Sequence, residues 1–226
     1  MADVQIDDSA AMRQARQSRQ SDIDAELALG AAAAAASNAL RAGSRAPLFT
    51  LSDRAGRRVS LDEQLSAGPV VLHFFRGGWC TFAESSLADF AAAYEDLLAL
   101  GASAVAIAPP CGGAVQRAPG HLRELLDVNL QVARAYGVAF ELPLRLRATY
   151  ERLGYTRPAA SEASRWLVPI PATFVLDRDG SAALVHIDVD YRKSLDIESL
   201  LRALKALQAR HATDLHAMRE RPGRSL

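Results

Sequence analysis

The stretch Val70-Val71-Leu72-His73-Phe74-Phe75-Arg76-Gly77-Gly78-Trp79-Cys80 decides how the chain is read. Its first part, through Phe75, is largely apolar, β-branched or aromatic, which suits a strand covered on both faces, as in a parallel sheet. Arg76 to Cys80 follows as a glycine turn. The segment 83–100 is then strongly helical, with Leu87, Phe90, Tyr94, Leu97 and Leu98 on one face. Gly101 closes that helix, and Ser103 to Ala108 reads as the next strand. The pattern predicts a β-α-β unit whose strands run parallel through a right-handed crossover.

Upstream, Leu48 to Leu51 reads as a short strand, Asp53-Arg54-Ala55-Gly56 as a turn, and Arg57 to Val59 as a returning strand. Ser60 and Glu63 form a capping box for a short helix through Leu65, ended by Gly68-Pro69. Residues 1–44, rich in Ala, Arg and Gln, predict a helical N-terminal arm in two pieces around Gly30. Arg13, Arg16 and Arg19 make a basic stripe on it, read as a solvated face. The main domain is placed at 45–226, and the arm could pack on it or on a second subunit as a homodimer.

Downstream of the β-α-β unit comes the loop Pro109-Pro110-Cys111-Gly112-Gly113. Helical segments are expected near 121–127 and 129–136 and within 141–153, with loop over 154–164. Ala172 to Leu176, the turn Asp177-Arg178-Asp179-Gly180, and Ala182 to Asp188 predict a β-hairpin. The last helix starts near Asp196 and runs towards Arg219, with Ile197, Leu200, Leu201, Leu204 and Leu207 as its core stripe.

The composition removes several classes. The chain has 226 residues, 50% hydrophobic and 23% charged, which is ordinary for a globular domain and not for a disordered or collagen-like chain. Basic and acidic residues balance at 26 each, so there is no bulk electrostatic case for nucleic acid or an anionic membrane. The longest apolar run, 27–36, falls short of the roughly 18 residues that a membrane span needs. The acidic start is unlike a secretory leader, so a cytoplasmic protein is expected, in which Cys80 and Cys111 stay as thiols.

Cys80 is the residue whose position carries chemistry. It falls at a junction of strand, glycine turn and helix, where free backbone N–H groups and the positive end of the helix dipole stabilise a thiolate over a thiol. The carboxyl end of a sheet strand is also where such sheets place their sites.

The order of strand, Trp-Cys, long helix, strand, insertion, hairpin and helix resembles the thioredoxin-fold superfamily, and within it the peroxiredoxin-like proteins. The resemblance rests on Ala46-Pro47-Leu48-Phe49-Thr50-Leu51, Phe74 to Cys80, Pro169-Ile170-Pro171-Ala172-Thr173-Phe174-Val175-Leu176-Asp177-Arg178-Asp179-Gly180 and Asp188-Val189-Asp190-Tyr191. It implies an α/β thioredoxin-like fold, a central mixed sheet flanked by helices with a helical N-terminal extension. It implies that the Ile170–Pro171 bond is cis and lies against the cysteine. It implies a peroxide or disulfide as small-molecule substrate and a thiol as reductant.

The departures are specific. Close relatives usually carry Cys-Pro-aromatic-Cys, and here the stretch is Cys80-Thr81-Phe82-Ala83, so exchange within a dithiol motif is ruled out. Peroxiredoxins place a Thr three residues before the reactive cysteine, where this chain has Gly77, and an Arg on the later strand, where it has Pro171. Arg76 or Thr81 could stand in as hydrogen-bond donors to a peroxide oxygen. Trp79 and Trp166 are expected beside the thiol, with Ile170 and Pro171 across from it.

Cys111 follows the strand next to the one that delivers Cys80. Neighbouring strands lie about 4.8 Å apart, so Cys111 could resolve an oxidised Cys80. His73, inside a buried strand, reads as a satisfied core group, and His186 as a hairpin residue. No Cys/His spacing suits a metal, and no glycine fingerprint or phosphate loop suits an organic cofactor. The function expected first is a thiol-dependent oxidoreductase of peroxiredoxin-like type acting through Cys80. An enzyme of the same fold repurposed for non-redox chemistry, or a non-catalytic binding module, remain alternatives.

Overall fold

The computed structural model describes residues 23–110, 122–157, 165–193 and 196–219. The side chains of Thr81 and of residues 214–219 are not described. Cys111, the Gly112-Gly113 loop and the arginine stripe of the first residues lie outside the described set.

The centre is a seven-stranded mixed sheet in the order β2-β1-β5-β4-β3-β8-β9. The interior strand β3 (Val70–Phe74) is buried at every position, as its largely apolar sequence requires. β4 (Ser103–Ala108) runs parallel to it, with Val71 opposite Ala104 and His73 opposite Ala106. The β-α-β unit therefore forms as predicted. The hairpin β8 (Ala172–Leu176) and β9 (Ala182–Ile187) lies antiparallel on the other side of β3, with His73 opposite Thr173. β1 (Thr50–Asp53) and β2 (Arg58–Ser60) form the antiparallel pair at the far edge, followed by α2 (Leu61–Ala67).

Alternation along β3 divides the core in two. Leu72 and Phe74 face a cluster with Tyr136, Phe174 and Leu146, which also takes in Ala28 and Ala32 of the N-terminal helix α1 (residues 23–36). Val71 and Phe75 face the opposite cluster, built with Leu87, Phe90, Leu97, Leu200 and Leu204. Those residues come from α3 (Thr81–Ala92), α4 (Tyr94–Ala99) and α7 (Ile197–Arg219).

Four expectations are corrected. The long helix after Cys80 is bent at Ala93 into α3 and α4, and both Phe90 and Leu97 stay buried against the sheet. The segment expected to be helical near 121–127 contains β5 (Arg123–Leu126), inserted between β1 and β4. Sheet pairing overrides helix propensity there. Leu125 is fully buried, and the buried Glu124 carboxylate takes both ends of a bidentate Arg54 guanidinium at 2.9 and 2.7 Å. Gly30 does not interrupt α1, because it faces solvent and a glycine on an exposed helix face lowers stability without forcing a break.

The fourth concerns the chain before β8. The Ile170–Pro171 bond is trans, since no described peptide is cis. The N–H of Ile170 donates to Val138 O and Pro171 O accepts from the N–H of Asp188, both at 2.8 Å, so an extended link satisfies both sides. β7 (Leu167–Pro169) precedes it and pairs with β6 (Ala139–Glu141) in a small second sheet that the sequence did not announce. α5 (Gln131–Ala135) and α6 (Arg147–Arg152), the latter entered through a 3-10 turn at Leu144–Leu146, match the remaining helical expectations.

Candidate active site

Strand β3 ends and the chain turns through 76–79 into α3. Gly77 adopts φ +93°, a region that L side chains rarely occupy. A peroxiredoxin is expected from the sequence to carry a threonine here, and a threonine at this φ would be strained. Cys80 is the N-cap residue of α3, with extended backbone angles. Its N–H donates to Gly77 O at 3.1 Å, and its carbonyl accepts from Ala83 N at 2.9 Å. The thiol is free and only 6% of the residue is exposed, among Phe75, Ala83 and Leu87. Only a small reagent reaches a sulfur so enclosed.

Arg76 is the unusual neighbour. It is 3% exposed, yet none of the described carboxylates pairs with it, and its Nε has no hydrogen-bond partner. Its guanidinium carbon lies 4.1 Å from the ring centre of Tyr191, 4.5 Å from Trp79 and 5.3 Å from Tyr150. Each such face offers about 0.5–2 kcal/mol, against several kcal/mol for desolvating a lone cation. The rings hold the charge in place without neutralising it.

Tyr150 registers the field of this group. Burial raises its phenol pKa, while the charge and hydrogen bond of Arg76 pull the other way and the charges of Tyr191 and Cys80 push it up further. Cys80, Arg76 and Tyr150 therefore share one electrostatic neighbourhood. Trp79 continues the aromatic wall, 5.5 Å from Tyr150 and 5.6 Å from Tyr155, and its buried Nε1 also lacks an acceptor.

Arg76, Ile170 and Pro171 line one cavity of about 10 Å³, together with Tyr150, Tyr191 and Val189 and with Ala28 and Ala32 of α1. Trp166 is one layer removed, stacked on Tyr155 at 5.8 Å, with Arg147 over its ring. Tyr150 and Tyr191 went unread in the sequence as cage residues. Asp188 to Tyr191 stood out as a motif, but nothing local to Tyr150 signals that it meets Arg76.

His73 lies on the other face of β3. Its Nδ1 is 3.0 Å from Thr173 Oγ1 and its Nε2 3.1 Å from Ser86 Oγ. Burial, and secondarily the charge of His186, push its pKa down to about 4. It is a neutral tie between β3, β8 and α3, as the sequence suggested. His186 is held by Asp188 at 2.8 Å, a hydrogen bond that raises its pKa. Among the described residues no group of three or more His, Cys, Asp or Glu could hold a metal, and no helix is long and apolar enough to cross a membrane.

Strand order, the β-α-β unit and a cysteine capping α3 define a thioredoxin-like fold. The profile of the AhpC/TSA family matches residues 42–184, and the chain belongs to that family of peroxiredoxin-like thiol oxidoreductases. Solved structures share the fold at low identity. The peroxidoxin BcpB of Mycobacterium tuberculosis is 21% identical, over 74% of this chain and 97% of its own, with a TM-score of 0.53. The reduced 2-Cys peroxiredoxin of Plasmodium vivax is 13% identical, over 76% and 84%, with a TM-score of 0.55. The yeast mitochondrial 1-Cys peroxiredoxin, described with a thiol-resolving mechanism through glutathione and thioredoxin systems, is 14% identical over 75% and 77%, with a TM-score of 0.55. No curated protein sequence matches the chain.

Proposed function

We propose that the protein is a thiol-dependent peroxidase whose reactive group is Cys80. The observation that carries this reading is a free thiol at the N-cap of α3, four residues after a buried arginine that pairs with none of the described carboxylates. The thiolate attacks one oxygen of a hydroperoxide ROOH. An S–O bond forms, the O–O bond breaks, and RO⁻ leaves and takes a proton to give ROH. Arg76 and the Trp79 N–H are the donors available to the departing oxygen, in place of the absent threonine and strand arginine.

The resulting sulfenic acid condenses with a thiol, releasing water and forming a disulfide, and a second thiol returns Cys80 to its starting state. Cys111 is the candidate intramolecular partner. A low-molecular-weight thiol, which a reducing cytoplasm supplies, is the external one. The enclosure of Cys80 favours a peroxide over a protein disulfide as oxidant, because a disulfide must bring its own backbone to the sulfur. Thr81 follows Cys80 in sequence and Trp166 lies one layer away behind Tyr155, and both are proposed to support the site.

The test is peroxide consumption by the full chain with excess dithiothreitol. Turnover lost in Cys80→Ser and retained in Cys111→Ser supports the reading with an external reductant. Equal rates in wild type and Cys80→Ser defeat it. A Cys80–Cys111 link found by mass spectrometry after mild peroxide would assign resolution to Cys111, and its absence would withdraw that role. A second reading, non-redox chemistry on the same fold, draws support from Gly77, whose φ of +93° is a backbone conformation that a β-branched threonine rarely adopts.

A further inference from the structure

We propose that the Arg76 pocket binds the carboxylate of a small monocarboxylate-bearing organic molecule, with α1 as its movable cover. This deepens the peroxidase reading by naming the class of molecule that Cys80 acts on, and its test is built to stand apart from the sulfur chemistry.

The charge balance of the pocket argues for an anion. Arg76 is 3% exposed and lines the cavity, its Nε is unpartnered, and no described carboxylate forms an ion pair with it. The groups facing it are the rings of Tyr150, Tyr191 and Trp79, with Tyr150 also held by its hydrogen bond. A single guanidinium with no second basic group on the lining matches one negative charge. The planar fork of arginine fits a carboxylate through paired N–H donors.

The walls argue for an apolar body behind that head. Phe140, Ile170, Pro171 and Val189 offer hydrocarbon, and Ala28 and Ala32 close the remaining side. The space left is about 10 Å³, roughly one water. A molecule with a tail therefore enters only when α1 moves aside.

The way α1 is held permits that movement. Beyond its C-terminal end, the N–H of Leu40 is fixed to Tyr136 O at 3.0 Å. Towards its other end α1 packs through small residues, Ala28, Ala31 and Ala32, with one larger side chain, Leu27, partly buried, and Asp24 pairs with the half-exposed Arg145 at 3.1 Å. Alanine contacts bury little surface, and an ion pair whose arginine is half exposed adds a modest hold. The helix can pivot about 37–40 while the sheet stays intact.

Butyrate is the probe, with neutral butyramide as its uncharged counterpart, titrated into the full chain by calorimetry at constant ionic strength. Wild type and Cys80→Ser are expected to bind butyrate saturably, at least tenfold more tightly than butyramide. Arg76→Met removes the charge and should weaken butyrate binding at least tenfold. Ala28→Leu fills the pocket from the cover side, should do the same, and keeps the test decisive if Arg76→Met fails to fold. Equal affinity for butyrate and butyramide, no saturable binding, or wild-type affinity in a folded Ala28→Leu would overturn the proposal. Butyrate binding by Cys80→Ser together with absent peroxide turnover in wild type would retain the pocket and reject the peroxidase reading.

Discussion

His73 makes the stability of this fold sensitive to mild acid. Its pKa is pushed from 6.5 down to about 4 because the ring is buried between Thr173 and Ser86. Between those values the unfolded chain takes up a proton that the folded chain refuses, so stability rises with pH through the window and falls as pH drops. From pH 7.5 to pH 4.5 the loss from this one group is about 2.5 kcal/mol, enough to move a urea midpoint by roughly 1 M. Carboxylates and His186 also titrate. The raised pKa of His186 adds stability that is complete below its unfolded value and is lost as pH rises through the folded one, a higher window. The assay is therefore a comparison: urea unfolding of wild type and His73→Gln at pH 7.5, 6, 5 and 4.5. The variant should be weaker at neutral pH, and the gap should close by about 2.5 kcal/mol on acidification. A gap that stays constant across the series would refute the buried, neutral histidine.

Gly77→Thr restores the residue type of a peroxidase motif but forces a β-branched side chain to φ +93°. It should destabilise the fold by about 1–3 kcal/mol without raising peroxide turnover, checked by thermal melting and rate. Gly68→Ala puts a Cβ 2.5 Å from Gly101 O and should lose about 1–3 kcal/mol. Gly30→Ala meets nothing within 4 Å on the exposed face of α1 and should gain about 0.5–1 kcal/mol. Arg54→Ala leaves the Glu124 carboxylate buried without its bidentate partner and should lower stability by about 1–2 kcal/mol at pH 7.

Much of the sheet could be read directly because its strands announce themselves. β3, β4 and the β8–β9 hairpin combine apolar runs with glycine turns, and each appears within a residue or so of its expected bounds. β5 could not be read that way, since Arg-Glu-Leu-Leu is a good helix sequence and becomes a strand only because β1 and β4 offer edges on either side. The β6–β7 pair is set by a contact across the insertion between Ala139 and Pro169, which no local pattern encodes. At the site, Cys80 and Arg76 were visible because the turn that holds them is continuous in sequence. The aromatic cage was not, since Tyr150 and Tyr191 reach Arg76 from distant parts of the chain, and tyrosine in a helix looks like any packing residue.

The central claim is that the Cys80 sulfur reacts with peroxide at the N-cap of α3. The most direct measurement treats the full chain with one equivalent of hydrogen peroxide in the presence of dimedone and locates the adduct by peptide mass spectrometry. The account predicts rapid dimedone labelling at Cys80, absent without peroxide and slowed in Arg76→Met. An unlabelled Cys80, oxidised no faster than a thiol in a short unstructured peptide, would contradict it.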